Sequence, residues 1–207
     1  MTHSRLTNLA QLVAVVIHPL LIPLYCTLFT LYFHPFGSFL SPAFKSRILL
    51  TIGLGACIVP LIVIGVFIAL GKVANFEMKD REERTAPLLA ASIFTTLSSW
   101  FVMRDVIPSP LLFMVLCMNF LLISAALISM WWKISLHTIG AGAGLAFVVL
   151  MGVMSGRSFS LPAGIAFAVS GLSAWARLYV DAHTPRQLLA GFLLGVAMMS
   201  LVLVNHI

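Results

Sequence analysis

The chain has 207 residues, 61% of them hydrophobic and only 9% charged, with a mean hydropathy of +1.09 and a formal net charge of +6. A soluble domain is typically about 25% charged, so water is excluded as the main solvent. The bases are scattered between apolar runs, which argues against nucleic acid and leaves lipid headgroups or phosphates as anionic partners.

A helix needs about 20 mainly apolar residues to cross the hydrocarbon core, and an open strand there leaves its backbone polar groups unpaired. The expected fold is therefore all-α: a polytopic membrane helix bundle of about six to seven transmembrane helices, forming one domain over residues 1–207. In chain order the apolar runs place spans at 9–33, 48–71, 88–104, 110–131, 138–155, 161–180 and 188–205. Pro19 and Pro23 predict a kink in the first. Cys26, Cys57 and Cys117 lie inside apolar runs and read as small buried side chains, with neither zinc spacing nor a disulfide framework.

Three polar clusters interrupt this pattern. The segment Glu77 to Arg84 carries seven charges in eight residues and four of the six acids of the protein. The second cluster, Lys133 to His137, stands at the mouth of the fifth span, and the third brings Arg177, His183, Arg186 and Gln187 between the last two. Two crossings separate each cluster from the next, so all three emerge on one membrane face, as a composite site requires. Elsewhere the polar residues read as structural: His18, His34 and His206 show no partner, Trp131 and Trp132 suit an interfacial anchor, and Gly140 and Gly144 allow close helix packing.

The chemistry of the clusters is that of phosphate. Arginine forks match phosphate oxygens bidentately, and histidine attacks phosphorus or donates a proton near neutral pH. No carboxylate or cysteine cluster has metal-ligand spacing and no Gly-rich phosphate loop is present, so no cofactor is expected.

The same residues resemble the type-2 phosphatidic acid phosphatase family, which includes lipid phosphate phosphatases and vanadium haloperoxidases. Its first motif is Lys, six residues, then Arg-Pro; here Lys79 stands at that distance from Pro87, with Ala86 in place of the arginine. Its second motif is Pro-Ser-Gly-His; here Ser135 and His137 keep their places, with Ile134 and Leu136 in place of the proline and glycine. The third is Ser-Arg, five residues, His, three residues, Asp; here Arg177 and His183 stand at that spacing, with Ala176 in place of the serine and Gln187 in place of the aspartate. The resemblance covers about residues 72–200. It implies a metal-independent phosphatase in which His183 is the nucleophile and forms a phosphohistidine, His137 is the general acid, and Gln187 (or Asp181) orients His183. Arg177, Arg84, Arg81, Lys79 and Ser135 would bind phosphate, with Arg81 and Arg84 on one face of a helix entering the third span.

The implied substrate is a membrane lipid phosphate or diphosphate, such as phosphatidic acid, phosphatidylglycerophosphate or a polyprenyl diphosphate. Two further readings are a lipid-binding or transport relative without turnover and a lipid phosphotransferase. The oligomeric state is not encoded in any motif. The bases divide eight to four in favour of the motif side, but five of the eight (Lys79, Arg81, Arg84, Arg177 and Arg186) belong to or flank the candidate site. Without them the positive-inside rule favours neither face. The resemblance to bacterial members implies the cytoplasmic membrane, with the site on its outer face.

Overall fold

The computed structural model describes residues 2–78, 80–98, 100 and 109–204; Lys79, Arg104 and His206, together with most of the C-terminal end of the third predicted span, lie outside them. The described residues are helical, without a strand. Among the described residues six helical segments are long and apolar enough to cross a membrane: Ser4–Tyr32, Pro42–Ala69, Pro110–Ser129, Leu136–Met154, Ser160–Tyr179 and Pro185–Val204. The protein is a multi-pass helical bundle.

The first span is broken into α1 (Thr2–Val16), a 3₁₀ turn (Pro19–Leu21) and α2 (Ile22–Tyr32). Pro19 supplies no N–H to the helical ladder and pushes the residue before it out of the helical region. His18 is accordingly extended (φ −68°, ψ 136°), and its Nδ1 accepts the Leu20 N–H at 3.3 Å. The break strands carbonyls at the end of α1. Tyr25 takes one, donating its hydroxyl to Val16 O at 2.6 Å.

A second interruption follows. The second span runs through α4 (Pro42–Ile52), a π segment (Gly53–Ile58) and α5 (Val59–Ala69), after the short α3 (Pro35–Ser38). Pro60 explains the slipped ladder, because its ring clashes with the carbonyl four residues earlier, at Ala56. The span begins at Pro42, capped by Ser41, and not near residue 48. Lys45, Ser46 and Arg47 dilute the apolar signal over a first turn that is helical all the same.

The remaining helices are α6 (Thr85–Ser98), α7 (Ser109–Ser129), α8 (Leu136–Met154), α9 (Ser160–Tyr179) and α10 (Pro185–Val204). The core is built around α8, which packs on α2, α7, α9 and α10. Its contact with α10 is backbone to backbone. A Cβ on Gly142 would strike the Phe192 carbonyl, one on Gly195 the Ile139 carbonyl, and one on Gly191 the Thr138 hydroxyl. Gly191 and Gly195 are four apart, the small-residue spacing that permits this approach. The predicted pair Gly140 and Gly144 faces the other way, toward Pro19 and Ile22.

Candidate functional site

Local rules set the third cluster. α9 ends in a Schellman motif: Ala182 N–H donates to Arg177 O at 3.0 Å and Asp181 N–H to Leu178 O at 3.0 Å, with Asp181 in the left-handed region (φ 49°). Asp181 is thereby used in the turn. Two residues later α10 opens with Thr184-Pro185-Arg186-Gln187, a capping box with proline at the first helical position. Gln187 Oε1 accepts the Thr184 N–H at 3.0 Å, while Thr184 Oγ1 accepts the Gln187 N–H at 3.4 Å. The Thr184 donor fixes which amide atom is oxygen. The same Oε1 lies 3.1 Å from His183 Nδ1, so Nδ1 carries the proton and Nε2 keeps its lone pair.

The first cluster delivers a buried arginine. Asn75 makes a tight turn through its side chain, Oδ1 accepting the Glu77 N–H at 3.0 Å, and Met78 is held at φ 45°. That turn aims the Met78 carbonyl at Arg84, whose Nε donates to it at 2.7 Å; Arg84 Nη1 donates to Ile134 O at 2.8 Å. Arg84 thus ties the first cluster to the second. Burial, then the charge of Arg177, lowers its pKa to about 10, so it stays cationic at neutral pH.

Arg81 behaves differently. Residues Arg81–Glu83 form a 3₁₀ turn and α6 starts only at Thr85, so no continuous helix carries Arg81 and Arg84 into the span. Arg81 is exposed, paired with Glu82 at 2.7 Å, and donates to Trp131 O at 2.9 Å. It does not line the cavity described next.

His137 stands in the first turn of α8. Its Nε2 lies 3.0 Å from Ala14 O, one of the carbonyls stranded by the break in the first span. A carbonyl only accepts, so Nε2 carries hydrogen and Nδ1 is the free edge. The His18 ring meets His137 edge to face at 5.4 Å between centroids. Ser135 caps α8 by accepting the Thr138 N–H at 3.4 Å; it is buried and is not a lining residue.

Arg84, Arg177, His137, His183, His18 and Glu77 all line one cavity of about 430 Å³. Arg177 is buried, its Nη1 3.6 Å from Glu77 Oε1, and its Nε has no hydrogen-bond partner among the described residues. Beyond these groups the wall is mainly apolar and includes Pro60, Ile64, Leu88, Val115 and Leu122, with Gln11, Thr95 and Asn119 as further polar lining residues. Both irregular segments contribute, the first through Pro19 and the second through Ala56. Among the described residues no three His, Cys, Asp or Glu side chains converge as metal ligands.

Burial, then the Arg84 charge, drives the His183 pKa down to about 3, against the opposing Gln187 hydrogen bond. At neutral pH His183 is a neutral imidazole, its hydrogen on Nδ1, facing two cations. Of the residues named from sequence, the structure brings together His183, His137, Gln187, Arg84 and Arg177; Arg81 and Ser135 stand apart. His18 and Glu77 join the site although no motif pointed to them. Proline after His18 was the available signal, since a broken span exposes polar groups. His34 stays structural, capping α3 and touching Met151 O at 3.2 Å near the other end of α8.

Comparisons with protein-family models, curated proteins and solved structures found no match for this chain.

Proposed function

We propose that the protein is a metal-independent phosphatase of membrane lipid phosphates or diphosphates. The observation that carries this reading is a histidine with its tautomer set, His183, in one cavity with two buried arginines and a second histidine, continuous with an apolar space. An anion suits Arg84 and the unpaired donor of Arg177. A hydrocarbon chain suits the remaining wall.

In the proposed reaction His183 Nε2 attacks phosphorus and the bond from phosphorus to the lipid oxygen breaks. The electron pair stays on the leaving oxygen, which takes a proton from Nδ1 of protonated His137. Water then attacks the phosphohistidine, losing a proton to His137 and restoring neutral His183 with release of phosphate. Arg84 and Arg177 stabilise the charge that develops on the phosphoryl oxygens. Gln187 cannot become an anion, so it holds the imidazole without strongly stabilising an imidazolium.

The same reading places the protein in a bacterial cytoplasmic membrane with the cavity mouth outward. Arg84 and Arg177 are buried in the cavity, which supports leaving them out of the count of headgroup-facing bases. The test is phosphate release by purified protein in detergent, on a panel of lipid phosphates with excess chelator. Wild type is expected to turn over and to be inhibited by orthovanadate, and His183→Ala is expected to release nothing. Turnover of the variant within a few-fold of wild type removes the mechanism.

A further inference from the structure

The cavity has a polar group far from its mouth. Asn119 is 5% exposed, lies at the middle of α7 and is one of the lining residues. Its surroundings in the wall are Leu88, Ala91, Val115, Met118 and Leu122, with Thr95 as a second buried polar residue of the lining. A mid-span amide is costly in hydrocarbon unless its donors and acceptor are paired.

The orientation of this amide follows from its neighbours. Thr96 donates its hydroxyl hydrogen to Ser92 O at 2.8 Å, so Thr96 Oγ1 has only acceptor capacity left for Asn119. The atom facing it is therefore Nδ2, which donates to Thr96 Oγ1. That contact ties α7 to α6 and accounts for one end of the amide. The other end, Oδ1, is buried and has no partner among the described residues. An interhelical tie needs only the first contact. A buried acceptor left over calls for a donor.

The depth of that acceptor is set by helix geometry. Asn119 precedes the mouth-side end of α7, Ser129, by ten residues, which is about 15 Å at 1.5 Å per residue. The arginine layer sits at that mouth, since Arg84 bonds the carbonyl of Ile134, just beyond the end of α7. We propose that the cavity is a subsite for a single hydrocarbon chain carrying a hydrogen-bond donor, a hydroxyl or amide N–H, about 15 Å from its phosphate. Asn119 Oδ1 accepts from that donor. This rests on the phosphatase reading for the headgroup end and goes beyond it in naming the chain chemistry.

The experiment compares octadecyl phosphate with the same chain bearing a mid-chain hydroxyl, in mixed micelles with purified full-length protein. Wild type is expected to favour the hydroxylated chain about tenfold in kcat/KM, the factor that about 1.4 kcal/mol of hydrogen bonding supplies. Asn119→Leu is expected to lose that preference while still hydrolysing the plain chain. Equal use of both chains by wild type, or a preference kept by Asn119→Leu, overturns the proposal. Because Asn119→Leu also removes the Thr96 contact, a second measurement needs no variant: in wild type the preference should peak for a mid-chain hydroxyl and vanish when it is moved to the chain end. A preference indifferent to hydroxyl position overturns it equally. Thermal stabilisation by the two chains separates this proposal from the reaction. Stronger stabilisation by the hydroxylated chain with no phosphate released sinks the phosphatase reading alone; phosphate released from both at equal efficiency sinks the chain proposal alone.

Discussion

The two halves of the bundle solve the problem of crossing a membrane in opposite ways. α8 and α10 are uninterrupted and meet with no side chain between Gly142, Gly195 and the facing carbonyls. The first two spans are each interrupted beside a proline, by the extended His18 and by the π segment Gly53–Ile58. Contact that close leaves little freedom, and it sets His137 and His183, carried at the mouths of α8 and α10, in a fixed relation. The interrupted spans fill space poorly, and the cavity is where they fail to fill it. The first interruption does more, since the carbonyl it strands at Ala14 holds the His137 ring. Regularity here positions side chains, and irregularity makes room for a ligand.

The sharpest way to break this picture is to remove the group that the close-packed half positions. His183→Ala should lower phosphate release at least about a thousandfold, as loss of a nucleophile does, with melting in detergent little changed. Next is the arginine that faces it. Arg84→Ala removes charge-assisted hydrogen bonds of about 1.5–3 kcal/mol and should cost about tenfold or more in kcat/KM.

The milder Arg84→Gln sharpens the electrostatic part. In wild type the folded His183 titrates at about 3 against a usual value of 6.5. The unfolded chain therefore takes up a proton that the folded one refuses as pH falls from 6.5 toward 3, and stability declines over that window. Removing the neighbouring cation raises the folded pKa. The acid limb of the kcat/KM profile should accordingly move to higher pH in Arg84→Gln, and an unmoved limb would detach Arg84 from His183.

Glycine substitutions test the packing contrast itself. Gly195→Ala drives a methyl into the Ile139 carbonyl, a backbone atom that cannot swing aside, and overpacking of this kind costs about 1–3 kcal/mol. Gly53→Ala meets nothing within 4 Å and should be neutral or stabilising by up to about 1 kcal/mol. Melting temperatures of the two variants decide; similar losses would show that the halves are packed alike. The smallest effect is expected at the exposed Glu82. An exposed ion pair of this kind contributes little, so Glu82→Ala should leave kcat/KM within about twofold of wild type.

Much of this could be read from residues alone. Apolar run length located six of the seven expected spans, since hydrocarbon thickness leaves few choices, while the end of the third lies outside the described residues. Proline told where the first span breaks, and Thr184-Pro185-Arg186-Gln187 specified its own helix start and, through it, the hydrogen bond to His183, because a capping box is completed within four residues. Arg84 and Arg81 mark where such reasoning stopped. They are three apart in one charged run, yet one is buried against Met78 and Ile134 and the other is spread on the surface toward Trp131. Their fates depend on a left-handed Met78 and on the carbonyls of a loop 50 residues away. Glu77, His18 and Asn119 became cavity residues for a similar reason. A membrane helix that is apolar all round has no hydrophobic stripe to say which face looks inward, and only the packing of its neighbours decides which polar side chain shares a cavity with which.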